Sequence, residues 1–484
     1  MKRFASNRIA ILVVFSVACI VRVIPEIVAY PHPVGYDVIN YYIPVITNFD
    51  SHWKVLVGQF PLYVILLHSI SLISGLSPYL TVVASAIAIY GIFSVSIYCI
   101  TRTILKFGPL HGVFLATGVI LQVAILRTTW DLHRDVFALS MMFFALVLFH
   151  MNQDRKSMTQ KNPVNWKIVF AVSVLVVAAS ATDRLVGLLC CGTLILYCLV
   201  TRSRSVLSPT ACAVIVYLVF FSLGQNQWIL QNVSDSFIGE QSSISGPDRG
   251  AYDQLNLLIL FSSFNGLLIA PAIYGFLRLQ NSIILKIPFV ISLIASFSWL
   301  ILPRAQSLVA DRWIVLSGIF ISIFGLYALI LVLKRFSRKT AILIGLPVML
   351  YFIVAGLAYE VLPYDKPFIL YAASRQYIEH FSPVTMQFNS IDIKDNDKMM
   401  SAISWLNHNT EPNSLIVGEK HWRGFMELYL QPNRTYLYSD DPTGLVSSLI
   451  NNNNNSKYQS APIYIIMLSN NNNSLDLFTI HKVR

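Results

Sequence analysis

The carboxylates of Asp37, Asp131 and Asp135, together with His133 and several arginines, fall in short polar stretches between long apolar runs. Asp37 lies in Gly35-Tyr36-Asp37-Val38-Ile39-Asn40-Tyr41-Tyr42, a few residues after the first apolar run. A carboxylate held among aromatic rings near a membrane surface can take a proton from an alcohol or amide acceptor. Taken alone, Asp37 reads more readily as an ordinary solvated loop carboxylate. The second stretch, Arg127-Thr128-Thr129-Trp130-Asp131-Leu132-His133-Arg134-Asp135, is denser in charge than anchoring needs. Ionisable groups at the end of a helical bundle often mark a functional path, so a catalytic and a structural reading of it stand level. Asp183-Arg184 and Asp311-Arg312, with Arg304 nearby, each read as a helix-end ion pair. Together, Arg134, Arg184, Arg304 and Arg312 supply forked guanidinium groups of the kind that match phosphate oxygens.

The elements that must position these residues are membrane helices. Of the 484 residues, 55% are hydrophobic and 12% charged, far more apolar surface than a soluble core of that length can use. Spanning the hydrocarbon takes about 20 apolar residues, and eleven runs approach that length, near 9–29, 78–100, 109–126, 136–150, 168–182, 185–201, 208–224, 255–277, 285–303, 313–333 and 340–357. Residues 60–76 form a further apolar stretch, but it is short and carries His68, Ser69 and Ser71. If that stretch lies along the interface instead of crossing it, Arg102, Lys106, Arg155, Arg202, Lys286 and Arg338 fall in loops on one side, with Asp154 the acid among them. If it crosses, these basic residues face outward, against the positive-inside rule. The expectation is therefore a multi-pass cell-membrane protein with a cytoplasmic amino terminus. A membrane domain covers residues 1–357, with an outer loop at 30–77 that contains an interfacial helix at 60–76. An extracytoplasmic domain covers 358–484.

The net charge of +11 is explained by this topology, and no nucleic-acid partner is implied. All six cysteines lie within apolar runs, which gives neither a disulfide framework nor metal-type spacing. In the tail, apolar runs at Ser414 to Val417, Thr435 to Tyr438 and Pro462 to Leu468 alternate with helical patterns at Met399 to Leu406, Phe425 to Leu430 and Leu445 to Ile450. That alternation predicts a small, mostly parallel α/β sheet. There is no phosphate-binding glycine loop, no dinucleotide fingerprint, no His-Glu-x-x-His and no Gly-x-Ser-x-Gly.

This layout resembles the GT-C superfamily of integral membrane glycosyltransferases, in the branch of protein O-mannosyltransferases and lipid A aminoarabinose transferases. The resemblance covers residues 9–335 and rests on the order of elements. Asp37 with Tyr36, Tyr41 and Tyr42 occupies the place of the family's acidic residue after the first span. Gln59-Phe60-Pro61-Leu62 stands where a His-Pro-Pro-Leu-like stretch opens a membrane-parallel helix, and Asp131 or Asp135 matches the second acidic loop. Val38 stands where many members carry a second acid, and the Trp-Trp-Asp signature of oligosaccharyltransferases is absent.

The resemblance implies inverting transfer of a sugar from a polyprenyl- or dolichyl-phosphate donor to a protein, lipid or glycan acceptor on the outer face. Asp37 would be the base, supported by Asp131 and Asp135. Arg134, Arg184, Arg304 and Arg312 would hold the donor phosphate, and Tyr36, Tyr41 and His133 would line the acceptor or sugar site. No cofactor is required, although a divalent cation on the carboxylates is compatible with their chemistry. The rival expectations are a multi-pass transporter, disfavoured by the absence of evident broken helices or midplane charge, and a non-catalytic subunit of a surface-glycan complex.

Overall fold

The computed structural model describes residues 2–50, 60–158, 165–202, 204–238, 254–280, 282–301, 310–361, 395–419, 422–439, 441–451, 461–468 and 478–483. The first helix, α1, is Lys2–Ala29. A π-helical turn, Val38–Tyr42, follows it and runs into the short α2, Ile43–Thr47. Next come α3 (Leu62–Ser74), α4 (Pro78–Thr103), α5 (Pro109–Ile120), α6 (Val123–Asp131), α7 (His133–Met158), α8 (Trp166–Thr182) and α9 (Arg184–Thr201). The membrane part continues through α10 (Arg204–Ile238), α11 (Gln254–Arg278), α12 (Ile283–Ser296), α13 (Ser298–Ile301), α14 (Ala310–Leu333) and α15 (Arg338–Val361).

Among the described residues, 8 helices are long and apolar enough to cross a membrane, or up to 9 if the bent pair α5–α6 counts as one span. Each of the eleven expected runs coincides with helix, but α8 and α12 fall short of full crossing length on that measure. The stretch at 60–76 is the 13-residue α3, about 20 Å long at 1.5 Å per residue and too short to span. Gly75 ends it in the left-handed conformation at φ +69°, and Ser77 then caps α4.

The bend between α5 and α6 corrects the sequence reading, which took 109–126 as one continuous run and saw no broken helix. The two helices meet at 64°. Gln122 makes the break tolerable, because its side-chain oxygen accepts from the Ala124 N–H at 2.7 Å and so caps α6. The Tyr90 hydroxyl donates to the orphaned Ile120 carbonyl at the end of α5. Inside a membrane each such group has to find a protein partner.

Helix α14 is the centre of the bundle: 89% of its apolar window is buried, against 22% for the peripheral α15. Helix α11 packs along it at glycine contacts. A Cβ on Gly275 would stand 2.2 Å from the Phe324 carbonyl oxygen, while a Cβ on Gly266 of the same helix would meet nothing within 4 Å.

Basic residues gather at one end of the bundle. Lys334 lies 4.1 Å from the Phe107 ring centre, Arg335 donates to Tyr274, and Lys286 lies over Phe276. The Asp37 stretch belongs to the opposite end.

The described part of the tail is an α/β domain with helices α16 (Asn396–Asn409), α17 (Arg423–Tyr429) and α18 (Pro442–Asn451). Its strands are β1 (Leu415–Glu419), β2 (Thr435–Ser439), β3 (Ile463–Leu468) and β4 (Phe478–Lys482), in the sheet order β2-β1-β3-β4. β1 is parallel to both neighbours, as the strand and helix alternation predicts, whereas β4 is an antiparallel edge strand that the sequence pattern did not reveal. Arg434 ties the sheet to α16 by donating to the carbonyl oxygens of Asn407 and Thr410 at 2.8 and 2.7 Å.

The glycine contacts give a paired prediction. Gly275→Leu should destabilise the detergent-solubilised protein by about 1–3 kcal/mol through overpacking, whereas Gly266→Leu should leave its thermal midpoint unchanged. Melting curves of the two variants check this.

Candidate functional site

The site is built from the loop after α1 and the junction of α6 with α7. Gly35 adopts φ +103°, and a Cβ there would fall 2.0 Å from the Trp130 carbonyl oxygen, so only glycine lets the two segments meet. Two buried hydrogen bonds fix the α6 side of the junction. The Trp130 indole N–H donates to Glu360 of α15 at 2.8 Å. Arg22 of α1 donates through Nε to the Thr129 carbonyl oxygen at 2.8 Å, and its second arm pairs with Glu26 at 2.7 Å. Arg22 is 1% exposed, and burial of a cation at that depth is tolerable only because it is paired.

Asp37 begins the π-helical turn, yet its carboxylate caps nothing and makes no hydrogen bond with the described residues. It is partly exposed. Arg134 lies within electrostatic range of Asp37, Asp183, Tyr41 and Tyr42, with its guanidinium 5.0 Å from the Tyr41 ring centre. Burial pushes the Tyr41 phenol upward and the Tyr42 phenol far upward from their ordinary range; Arg134 opposes that shift and Asp37 adds to it. Both phenols therefore stay neutral donors around Asp37 at physiological pH. Below them His133 stacks on Tyr42 at 5.3 Å, and Tyr63 of α3 meets Tyr42 edge-on at 5.4 Å. Among the described residues the Tyr63 hydroxyl and one guanidinium nitrogen of Arg22 are buried without a hydrogen-bond partner, while the His133 ring faces the backbone of Thr129 and Trp130.

Behind this layer, buried Asp135 meets the Asp183 carboxyl, with Arg312 and Arg134 as the nearby cations. Asp183 corrects an expectation. It is not an ion-pair partner of Arg184; it caps α9, accepting from the N–H groups of Leu185 and Val186, both at 2.8 Å. Arg184 turns away, 5.0 Å from the Phe221 ring centre and hydrogen-bonded to Tyr217.

The structure thus brings together Asp37, Asp135, Arg134, Arg312, Tyr41 and His133, and leaves Arg184 on the flank. Tyr36 lies at the rim, where its carbonyl oxygen accepts from the Asn40 amide at 3.0 Å. Arg304 and the side chains of Asp131 and Asp311 lie outside the described residues. Among the described residues no three His, Cys, Asp or Glu side chains gather as a metal site. Sequence reasoning gave no site role to Tyr63 or Glu360. A lone glutamate near the end of the last span, among otherwise apolar residues, was the available signal for Glu360.

The tail closes over this loop. The Gly424 N–H at the start of α17 donates to Asn40 Oδ1 at 2.8 Å, and Ile39 is buried in the tail's own core. A Cβ on Gly424 would sit 2.3 Å from the Ile39 side chain. Arg423, hydrogen-bonded to Glu427 at 2.5 Å and to Tyr438 at 3.1 Å, stands within electrostatic range of Tyr36.

No known family model matches the chain, and no curated protein matches it either. Among solved structures it is similar to the archaeal oligosaccharyltransferase AglB from Archaeoglobus fulgidus, solved in complex with an inhibitory peptide and a dolichol-phosphate. The TM-score is 0.52 at 11% sequence identity, and the match covers 96% of this chain and 69% of that one. At that identity the likeness is one of fold. The protein is a polytopic helical membrane protein with a C-terminal α/β domain, and its fold is similar to that of the solved oligosaccharyltransferase.

The Arg22 pairing makes a prediction. Arg22→Met leaves Glu26 buried and uncompensated, and should cost about 3–5 kcal/mol. Arg22→Met with Glu26→Leu should recover most of that stability in thermal melts, because no buried charge is then left alone.

Proposed function

We propose that this protein is a membrane glycosyltransferase that moves a sugar from a polyprenyl- or dolichyl-phosphate donor to an acceptor hydroxyl or amide at the Asp37 end of the bundle. The observation that carries this reading is the state of Asp37. Its carboxylate is partly exposed and makes no hydrogen bond with the described residues, and it is held on a glycine-dependent loop beside Arg134. Such a group is positioned to accept a proton and is not occupied by a structural task.

In the transfer, Asp37 takes the proton of the acceptor O–H or N–H as that atom forms its bond to the anomeric carbon. The bond from that carbon to the lipid phosphate oxygen breaks, and its electron pair leaves with the phosphate. A single in-line displacement inverts the anomeric centre through an oxocarbenium-like state. Arg134 and Arg312 stabilise the charge that builds on the departing phosphate. The fold likeness to a protein solved with a dolichol-phosphate and a peptide supports a lipid-linked donor. By the positive-inside rule the Asp37 end faces away from the cytoplasm, since the basic cluster lies at the other end. The tail, resting on Ile39 and Asn40, forms one wall of the acceptor entrance.

A carrier is the second reading, favoured by the broken span α5–α6. The cavity beside that break has no carboxylate, histidine or cationic side chain in its lining, which weighs against ion-coupled transport.

Membranes containing wild type or Asp37→Asn, given a panel of radiolabelled lipid-phosphate sugars and tested for label transfer, decide the matter. Asp37→Asn should lower transfer by about 10²–10⁴-fold, the usual worth of a general base, with the protein still present and folded. Undiminished transfer removes Asp37 from the base role, and no transfer by wild type with any donor favours the carrier.

A further inference from the structure

The tail carries the tripeptide Asn433-Arg434-Thr435, which has the Asn-x-Ser/Thr form that enzymes attaching glycans to asparagine accept. It stands apart from the asparagine runs at 451–455 and 470–473. Its three side chains divide the work. Arg434 turns inward, donating to the Thr410 hydroxyl at 2.7 Å and to the carbonyl oxygens of Asn407 and Thr410 that tie the sheet to α16. Its backbone N–H donates to the Gln431 carbonyl at 3.0 Å and closes a β-turn with Asn433 as the third residue.

Asn433 and Thr435, on either side of that anchor, are both exposed. Arg434 Nη1 donates to the Asn433 side-chain oxygen at 2.9 Å, so the amide oxygen is the end held to the protein. Its Nδ2, the atom a glycan joins, makes no hydrogen bond with the described residues. Thr435 opens β2, which lies at the edge of the described sheet.

The turn lies at the end of the tail remote from the bundle. Helix α16 starts where Asp397 meets His32 of the loop after α1 at 3.4 Å. It ends 14 residues on, about 21 Å along its axis, beside Thr410 and Arg434. Strand β2 runs the other way, from the Asn433 turn to Tyr438, which meets Arg423 near the Asp37 loop. Five residues of strand put Asn433 about 17 Å from Tyr438. Asn433 therefore stands clear of the bundle and of this chain's own Asp37 site, and a glycan on it displaces no packed side chain. We propose that Asn433 carries an N-linked glycan, transferred by a separate enzyme molecule from a lipid-linked oligosaccharide. Nδ2 loses a proton and bonds to the anomeric carbon, the bond from that carbon to the lipid phosphate oxygen breaks, and its electron pair leaves with the phosphate. The inference rests on the outward orientation that the positive-inside rule gives the tail, and is independent of what the chain itself transfers.

The full chain purified from its own cells should yield Asn433-containing peptides heavier by a glycan, with the added mass assigned to Asn433 by fragmentation. Asn433→Gln should remove it, Thr435→Ala should remove it although the asparagine remains, and Thr435→Ser should keep it. The two threonine variants separate transfer directed by the tripeptide from a chance adduct. Unmodified Asn433 in the wild type, or a glycan indifferent to Thr435→Ala, overturns the proposal. Asn433→Cys reads the orientation separately, because the native cysteines lie in apolar runs and none is in the tail. A membrane-impermeant maleimide applied to intact cells should label the tail of that variant. Labelling only after lysis places the tail inside and overturns the orientation and the site together, whereas labelling of intact cells without a glycan on the wild type overturns the site alone.

Discussion

The guanidinium of Arg22 binds Glu26 within its own helix and the Thr129 carbonyl of α6, and the two halves of the site keep their relation through that contact. A cation buried among membrane helices has few tolerable arrangements, since each unpaired donor there is costly. Pairing with Glu26 holds the charge, and the Nε–H bond to the Thr129 carbonyl ties α1 to the helix that leads into Trp130, His133 and Arg134. The loop that follows α1 brings Asp37 back against the same segment, where Gly35 touches the Trp130 carbonyl. Glu360, bound to the Trp130 indole, extends the chain of contacts to the last membrane helix. Helices from the start, middle and end of the membrane part therefore converge on one short stretch.

From that anchor the chemistry becomes local. Asp37 is spared any capping duty, while Asp183, a similar carboxylate at the same end, is consumed by the N-terminus of α9. The difference separates a candidate base from a structural acid. Arg134, set over Tyr41 and near both Asp37 and Asp183, is the cation we propose meets the donor phosphate. The tail adds a second constraint by burying Ile39 in its own core and donating the Gly424 N–H to the Asn40 side-chain oxygen. Sheet domain and membrane bundle thus share the turn that carries Asp37.

Much of this was legible in the sequence because apolar run length and charge placement are local properties. The membrane helices, the short α3 and three of the four strands fall where the patterns put them. The break at Gln122 was not legible, since 109–126 is apolar throughout and the bend depends on a side-chain cap and on Tyr90 from another helix. β4 was missed because Phe478-Thr-Ile-His-Lys is short, half polar and preceded by an asparagine run. The partners of Arg22 and Trp130 lie 107 and 230 residues away, one of them a backbone carbonyl that no residue type announces. Asp183 and Arg184 read as a pair because adjacent opposite charges suggest one, but a free helix N-terminus competes for the carboxylate and wins.

The central claim is that a lipid-phosphate sugar reacts between Asp37 and Arg134. An experimental structure of the protein with a non-transferable lipid-phosphonate sugar tests it most directly. The account predicts the phosphonate against Arg134 and Arg312, with the anomeric carbon facing the Asp37 carboxylate across room for an acceptor atom. A phosphonate bound at the basic end near Lys334 and Arg335, or a sugar out of reach of Asp37, would contradict it.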